Sequence, residues 1–194
     1  HDLRTPLTRM KLQISLMKDE KAKSELEVDV NEMTSMLDSY VSFVKTESPE
    51  PIETIIINEL ISDIVKTVEK NGVQLTIKEK NTIQTSGRQI QLKRAFNNII
   101  DNSKRYAKQI EIILYTNEKD CVIEFNDDGE GIPRDKYEDV FKPFFTLDPS
   151  RNKLKGESGL GLTITRDIIR SHGGDVKLSD SNLGGLQLKV LLPL

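Results

Sequence analysis

The sequence predicts two modules: an all-α helical hairpin at residues 1–48, and an α+β sandwich at residues 55–194 with helices on one face of a mixed sheet. Three observations support this division. Apolar residues recur at helical spacing through the first fifty positions. Helical patterns and short strand-like runs are mixed after that point. Ten of the eleven glycines follow residue 80. Residues 49–54, which contain two prolines, are predicted to be a linker.

The first module contains two amphipathic stripes. The first stripe predicts a helix, polar residues at 18–24 break it, and the second stripe continues to residue 44, before two prolines. The stripe positions are Leu3, Leu7, Met10, Ile14 and Met17, then Leu26, Val30, Met33, Leu37, Tyr40 and Val44. Two such helices bury only one narrow seam, so pairing of two hairpins into a dimeric four-helix bundle is expected. The alternative is that the second module of the same chain packs over the exposed part of that seam.

The second module is predicted to alternate helices and strands. Helices are expected at 55–68, 89–106 and 160–171, and strands at 74–78, 110–115, 121–126, 175–179 and 186–192. Leu75 and Ile77 should point inward from the first strand. The core face of the central helix is predicted to be Leu92, Phe96, Ile99 and Tyr106. His172 precedes two glycines and is interpreted as part of a helix C-cap.

Composition excludes several classes of protein. A formal net charge of −3 gives no reason to expect nucleic-acid binding. The single cysteine, Cys121, lies in an apolar run and is expected to be inert core packing in a reducing compartment. No apolar run reaches the ~18–20 residues that span a bilayer. Because residue 1 is not methionine, the protein is expected to extend upstream, and membrane attachment would come only through those upstream segments.

His1 is the candidate phosphate acceptor. In a helix, Thr5 lies one turn after His1 on the same face, and Asp2 lies beside it, where a carboxylate can accept a proton from the ring. The alternative is a solvent-exposed histidine with no chemical role. Pro6 either bends this helix or occupies its first turn, and the early start of the apolar stripe favours the bend.

Three later segments contain residues of the kinds that bind a nucleotide. Asn98 and Asn102 place two amide oxygens on one helical edge, as Mg²⁺ prefers, and Arg105 follows one turn later. Asp127 ends a strand and is followed by glycines that allow close approach of a ring. The run 156–162 is a glycine-rich entry to a helix, which is typical of a phosphate site. The alternatives are a polar helix face, a surface turn and tight helix packing.

These segments resemble the sequence boxes of dimerising sensor histidine kinases over the whole chain. His-Asp-Leu-Arg-Thr-Pro-Leu at 1–7 resembles the H-box, and residues 96–106 resemble the N-box. The G1 box is similar to 127–133, the F-box to 141–145, and the G2 box with its ATP lid to 146–162. Residues 1–12 and 94–106, with the short lid, look most like EnvZ-type osmosensor kinases.

The resemblance implies a Bergerat-type catalytic domain and a division of roles. His1 would be the phospho-acceptor, Asp2 the general base, and Thr5 the residue that positions water for phosphatase action. Asn102 would bind Mg²⁺, and Asp127 would read adenine. The full set of ATP-binding residues would be Asn98, Asn102, Arg105, Tyr106, Asp127, Gly129, Gly131, Lys153, Lys155, Gly159, Leu160 and Gly161.

The resemblance also implies partners and a location. The phosphoryl group would pass from His1 to an aspartate of an OmpR-like response regulator receiver domain. The chain would act as a homodimer, as the cytoplasmic domain of a bacterial inner-membrane protein. One departure concerns Glu157, which stands where the family usually has the first glycine of Gly-x-Gly-Leu-Gly-Leu. Two alternatives are therefore kept: an ATPase of the wider GHKL superfamily, and a phosphatase-biased or non-catalytic signalling module.

Overall fold

The structure is a computed structural model that describes residues 4–44, 50–68, 73–147 and 159–194. Contacts divide the chain into two compact units, one of residues 1–48 with 142–160 and one of residues 49–141 with 161–194. The helices are α1 (Arg4–Ser15), α2 (Glu20–Val44), α3 (Ile57–Val68), α4 (Gln89–Tyr106) and α5 (Gly161–Ser171). The strands are β1 (Glu53–Ile56), β2 (Gln74–Glu79), β3 (Gln84–Gly87), β4 (Gln109–Thr116), β5 (Asp120–Asp127), β6 (Asp175–Asp180) and β7 (Leu186–Pro193).

The hairpin of α1 and α2 buries a narrow seam, as the apolar spacing predicts. Its core is Leu7, Ile14 and Val30, with Met17 and Leu37 packed against it. Other stripe residues remain exposed, namely Met10, Leu26 and Met33. The predicted stripe is therefore correct in phase, but a single hairpin covers only about half of it.

The connection between these helices is shorter than predicted. The predicted break at 18–24 is present but wrong in its bounds, because α1 ends at Ser15 and α2 already begins at Glu20. Asp19 explains the early start: its Oδ1 accepts hydrogen bonds from the backbone N–H groups of Lys21 at 3.0 Å and Ala22 at 3.2 Å. Such an N-cap satisfies donors that the first helical turn leaves unpaired. Pro6 lies in the first turn of the described part of α1, so the predicted bend stays a prediction.

The second unit contains a five-stranded mixed sheet in the order β2-β4-β5-β7-β6. The β2–β4 pair is parallel and the other pairs are antiparallel. Alternating residues of β4 and β7 are buried, and helices α3, α4 and α5 supply the apolar residues opposite them. The predicted α+β sandwich is confirmed. Leu75 and Ile77 of the edge strand β2 are only half-buried.

The predicted helix at 55–68 is wrong in its first turn. Residues 53–56 form β1, which pairs antiparallel with β3, and α3 begins at Ile57. The β-branched run in this segment suits a strand, and pairing with β3 overrides the helical spacing. Asn58 joins the two elements, because its Oδ1 accepts the Ile83 N–H at 2.7 Å. Strand β3 has no apolar alternation and was not predicted, and β1 includes the last two residues of the predicted linker.

Helix α4 has the predicted bounds, but its core face differs at the end. Leu92, Phe96 and Ile99 are buried as expected, whereas Tyr106 is 42% exposed. Ser103 is the last buried residue of the helix, so the final turn projects beyond the core. Gln91, Ala95 and Ile100 complete the buried face. The prediction for Tyr106 extrapolated a helical stripe past the point where the core ends.

Two single residues behave as the sequence indicates. Cys121 is buried, its thiol lies 3.1 Å from the carbonyl oxygen of Gln84, and burial raises the pKa of the thiol.

After α5, Gly173 has a φ of +76° and the Gly174 N–H donates to Ile169 O at 3.0 Å, which closes the helix. His172 contributes a link to α4. Its Nδ1 lies 2.7 Å from Ile168 O, and its Nε2 accepts the Arg88 N–H at 3.0 Å.

None of the helices within the described ranges is long and apolar enough to cross a membrane.

The core between α4 and the sheet should dominate the stability of the second unit. Phe96 is fully buried and its ring centroid lies 6.0 Å from that of Phe125. We expect Phe96→Ala to lower the free energy of unfolding by about 3–5 kcal/mol, because the cavity cannot close fully. Ile90→Ala, on the same helix at a residue 73% exposed, should change it by less than about 0.5 kcal/mol. Urea denaturation measures both, and equal effects would contradict the assignment of this core.

Candidate active site

The site is organised by Asp127, the last residue of β5. Its side chain is buried, with the residue only 5% exposed. Oδ1 accepts hydrogen bonds from the backbone N–H groups of Gly129 at 3.0 Å and Leu186 at 2.9 Å. Oδ2 accepts one from the Ser103 hydroxyl at 3.2 Å. A buried carboxylate needs such donors, because burying an unpaired charge costs several kcal/mol.

The loop after Asp127 runs close to the end of α4. A Cβ at Gly129 would lie 3.0 Å from the Tyr106 carbonyl oxygen, so only glycine allows this approach without a shift. Gly131 has a φ of +70°, a conformation that favours glycine. Space therefore requires glycine at 129, and backbone conformation favours it at 131. That these glycines let the backbone approach a nucleotide ring stays a prediction.

Asp128 holds the other side of the same loop. Its Oδ1 accepts the backbone N–H groups of Lys108 at 2.7 Å and Gln109 at 2.8 Å. The hydrogen bond from Gln109, supported by that from Lys108, lowers the pKa of the Asp128 carboxyl below its usual value. The α4–β4 connection is thus tied to the loop that follows Asp127.

The two asparagines lie on the edge of α4 that faces the start of α5. The Asn98 Nδ2 donates to the Gly161 carbonyl oxygen at 3.3 Å, which leaves its amide oxygen for another partner. Asn102 is half-buried one turn later. Within the described ranges, no group of three or more His, Cys, Asp or Glu side chains could hold a metal ion. Amide oxygens are hard oxygen donors, and Mg²⁺ takes oxygen ligands, few of them from the protein, so Asn98 and Asn102 fit the predicted ion by donor type.

Arg105 and Tyr106 are exposed at the end of α4, the end that carries Asn102 and Ser103. The structure therefore brings Asn98, Asn102, Asp127, Gly129 and Gly131 into one unit, joined by α4. Lys153 and Lys155 lie outside the described residues, as do Glu157, His1 and Asp2. Thr5 is exposed in the first described turn of α1.

Gly159 and Leu160 belong to the other compact unit and have their own local geometry. Gly159 has a φ of +61°, and its carbonyl oxygen accepts the Phe144 N–H at 3.1 Å. A Cβ at Gly159 would lie 2.8 Å from the Phe144 Cα, so both the backbone conformation and the space require glycine here. Leu160 is buried, and Gly161 then begins α5. The two chain segments that flank residues 148–158 are therefore fixed to each other.

The F-box segment is only partly the buried aromatic cluster that it suggests. Phe141 is buried, whereas Phe144 is exposed. The Phe141 carbonyl oxygen accepts the Thr163 hydroxyl at 2.9 Å, and the Arg166 guanidinium lies 4.5 Å from its ring centroid. Arg166 also pairs with Glu138 at 2.8 Å. Helix α5 thus holds Phe141 by a hydrogen bond and a cation–π contact.

Sequence reasoning missed three groups at this site. They are the Ser103 hydroxyl, the Leu186 N–H and Gly185, whose N–H donates to the Asp127 carbonyl oxygen at 3.1 Å. Ser103 directly follows Asn102 in the sequence, and this position could have indicated that its hydroxyl belongs to the site. Gly184-Gly185 indicated a turn, but nothing in the sequence placed that turn against Asp127.

Comparison with known proteins shows the family of the chain. Residues 87–194 match the family model described as histidine kinase-, DNA gyrase B-, and HSP90-like ATPase. All of this chain aligns at 32% identity with sensor histidine kinase GtrS of Pseudomonas aeruginosa and with sensor histidine kinase CpxA of Escherichia coli K12. The chain spans 40% and 45% of the length of those relatives.

Solved structures share the fold. A mycobacterial sensor histidine kinase, MprB, matches 74% of this chain and 97% of its own with a TM-score of 0.65 at 24% identity. Full-length ShkA in complex with AMPPNP covers 100% of this chain, and 45% of its own, with a TM-score of 0.72 at 15% identity.

Removal of the Asp128 carboxylate should give a pH-dependent loss of stability. Because the folded-state pKa is lowered, its contribution is present above the unfolded value of about 4 and is lost as the pH falls through the folded value. We expect Asp128→Ala to be less stable than wild type at pH 7, with a difference that shrinks below about pH 4. Urea midpoints between pH 3 and pH 7 measure this. Asp63→Ala, at an exposed position of α3, is the control, and a pH-independent difference for Asp128→Ala would contradict the argument.

Proposed function

The chain belongs to the histidine kinase-, DNA gyrase B-, and HSP90-like ATPase family, and from this premise we propose that it is the catalytic portion of a sensor histidine kinase. Its second module would bind ATP with Mg²⁺ and transfer the γ-phosphoryl group to His1. The observation that carries the proposal is the buried Asp127 carboxylate, held by donors on both oxygens at the end of β5. The alignment of the whole chain, including the helical hairpin, with parts of proteins named sensor histidine kinases supports the kinase over a plain ATPase.

In the proposed binding mode, Asp127 reads the base. Its Oδ2 would accept a hydrogen bond from the exocyclic amino group of adenine, and Gly129 and Gly131 would let the backbone approach the ring. Asn102 would bind Mg²⁺, while Asn98, with its amide nitrogen on Gly161 O, keeps the start of α5 beside it. Arg105 and Tyr106, with Lys153, Lys155 and the segment Gly159, Leu160 and Gly161, would surround the phosphates. When bound, Mg²⁺ would neutralise charge on the phosphate oxygens.

The proposed transfer breaks the bond between the γ-phosphorus and the β,γ-bridging oxygen and forms a phosphorus–nitrogen bond to a ring nitrogen of His1. Asp2 would take the proton from the other ring nitrogen, and ADP would leave. The phosphoryl group would then pass to an aspartate of an OmpR-like receiver domain. Thr5, which is exposed on α1, would position water for the opposite, phosphatase reaction.

The hairpin supports a homodimer in this proposal. The exposed Met10, Leu26 and Met33 continue the same stripes as the buried seam, and a second hairpin would cover them in a four-helix bundle. Residues 1–48 would be the dimerisation and phosphotransfer domain, 49–54 the linker, and 55–194 the catalytic domain. The whole would be the cytoplasmic part of a bacterial inner-membrane protein, with no nucleic-acid partner.

The base-reading role predicts a change of nucleotide preference in Asp127→Asn. The amide oxygen can keep both backbone hydrogen bonds at Oδ1, while the amide nitrogen turns the acceptor at Oδ2 into a donor. We expect ATP affinity to fall by about tenfold or more, because a hydrogen bond to a charged group is lost, and ITP, with a 6-oxo group, to lose less. Displacement of a fluorescent ATP analogue measures both affinities.

Asp101→Asn makes the same chemical change on an exposed part of α4 and is the matched control for that experiment. Its ATP and ITP affinities should equal those of wild type. Unchanged ATP affinity in Asp127→Asn, with a normal melting temperature, would remove Asp127 from the base site.

The kinase role is tested in the full-length protein with Mg·ATP labelled on the γ-phosphate. We expect protein-bound label that is lost in acid and retained in base, as a phosphoramidate requires, and no label in His1→Ala. The His1→Ala protein should still bind ATP, because the proposed nucleotide site lies in the other module. ATP hydrolysis without protein label would instead favour a GHKL-type ATPase. Label that survives His1→Ala would contradict His1 as the acceptor.

A further inference from the structure

Helix α4 begins without a capping side chain of its own. Its N-cap residue is Arg88, which has extended backbone angles (φ −103°, ψ 110°) but makes no capping hydrogen bond with its side chain. Ser, Thr, Asp and Asn are the usual residues at this position, because their short side chains accept an N–H group of the first turn. The first backbone donors of α4 must therefore find acceptors elsewhere.

Glu50, in the predicted linker, supplies the missing acceptor. Its Oε1 accepts the backbone N–H of Ile90 at 2.6 Å, and its Oε2 accepts that of Gln91 at 3.4 Å. These are the second and third residues of the helix, whose N–H groups an N-cap side chain normally binds. A carboxylate at this end is also favoured by the helix dipole. The linker thus caps the helix that carries the proposed metal ligand Asn102.

The same carboxylate fixes the chain between the two modules. Helix α2 ends at Val44, and β1, the first paired strand of the second unit, begins at Glu53 opposite Gly87. With Glu50 held on α4, six residue steps separate Val44 from a fixed point, and they span at most about 20 Å. With Glu50 free, nine steps lead to Glu53 and span at most about 30 Å. The contact therefore shortens the tether between the modules.

We propose that Glu50 is a releasable strap that restrains autophosphorylation. The inference rests on the proposed function, in which the nucleotide site of one module must bring the γ-phosphoryl group to His1 on the other. While Glu50 caps α4, the short tether excludes arrangements of the two modules that need a longer reach. Release of Glu50 restores those arrangements and speeds transfer, with no change in the nucleotide site itself.

The strength of this kind of contact suits a switch. An N-cap side chain favours the capped state by roughly fivefold, equivalent to about 1 kcal/mol. The strap would then be open in about one molecule in six, and a small bias from the hairpin would open or close it. If transfer occurs from the open state, complete release raises its rate by about sixfold.

The test is the initial rate of autophosphorylation in full-length Glu50→Ala, with saturating Mg·ATP labelled on the γ-phosphate. Removal of the carboxylate opens the strap in every molecule, so we expect the rate to rise by about sixfold. ATP affinity, measured by displacement of a fluorescent ATP analogue, should stay at the wild-type value. Glu53→Ala removes an exposed carboxylate from the same segment and is the matched control, with the wild-type rate expected.

Arg88→Asp separates the strap from a merely structural cap. Aspartate at the N-cap would bind the N–H groups of Ile90 and Gln91 itself and leave Glu50 without its donors. We expect Arg88→Asp to keep the wild-type melting temperature or raise it, and yet to show the fast rate of Glu50→Ala. The double variant should be as stable and as fast. Because this variant keeps α4 capped, it also serves if Glu50→Ala does not fold.

Recovery of the wild-type rate in the double variant would show that Glu50 acts only through the stability of the helix, and would overturn the inference. Hydrogen exchange of the peptide that covers residues 89–92 reports on the contact itself. We expect its amides to exchange faster in Glu50→Ala than in wild type, and slowly again in Arg88→Asp. Equal exchange in wild type and Glu50→Ala would show that the linker does not hold α4 in solution, and would also overturn the inference.

The outcomes separate this inference from the proposed function. Acid-labile label on His1 in wild type, with an equal or slower rate in Glu50→Ala, would overturn the strap alone. No label in wild type, or label that survives His1→Ala, would overturn the proposed transfer and this inference together. A faster rate in both Glu50→Ala and Arg88→Asp, with unchanged ATP affinity, supports the strap.

Discussion

The structure of the site depends on one buried carboxylate. Asp127 is buried, and three separate elements each supply a hydrogen-bond donor to its carboxyl group: α4 through Ser103, the following loop through Gly129, and β7 through Leu186. An uncompensated buried charge would be too costly to retain. The end of α4, the loop after β5 and the start of β7 must therefore be correctly placed together, and none of them can shift without loss to the other two.

Helix α4 connects this carboxylate to the proposed phosphate side of the site. One edge of the helix carries Asn98 and Asn102, and Ser103 follows on the buried side. Asn98 reaches the Gly161 carbonyl oxygen of α5, and the Thr165 hydroxyl donates to the same atom at 2.9 Å. In the proposed function, one rigid helix would thus fix the distance between the base and the metal-bound phosphates. Positioning of the reacting groups is the main contribution that a protein makes to phosphoryl transfer.

The helical hairpin shows a different physical constraint. Two helices pack along one seam, and the remaining apolar positions stay in water, where they contribute nothing to stability. In the proposed function a second hairpin would cover them, since the exposed residues follow the same heptad spacing as the buried ones. This unit precedes residues 87–194, which carry the family match, and the curated relatives align with it at full coverage of the chain. The chain spans less than half of those relatives, whose remaining length lies outside it.

The sequence by itself determined the α+β class of the second module, the bounds of α4, the phase of the hairpin seam and the loop glycine Gly131. These features depend on the spacing of apolar residues along the chain and on the backbone conformations that each residue type can adopt. Both can be read from the sequence without knowledge of distant contacts. Tertiary structure alone decided that residues 53–56 form a strand with β3, that Tyr106 lies outside the core, and that Ser103, Gly185 and Leu186 meet at Asp127. Each of these depends on a partner far away in the chain, and local spacing holds no information about which distant backbone groups will arrive at the same place.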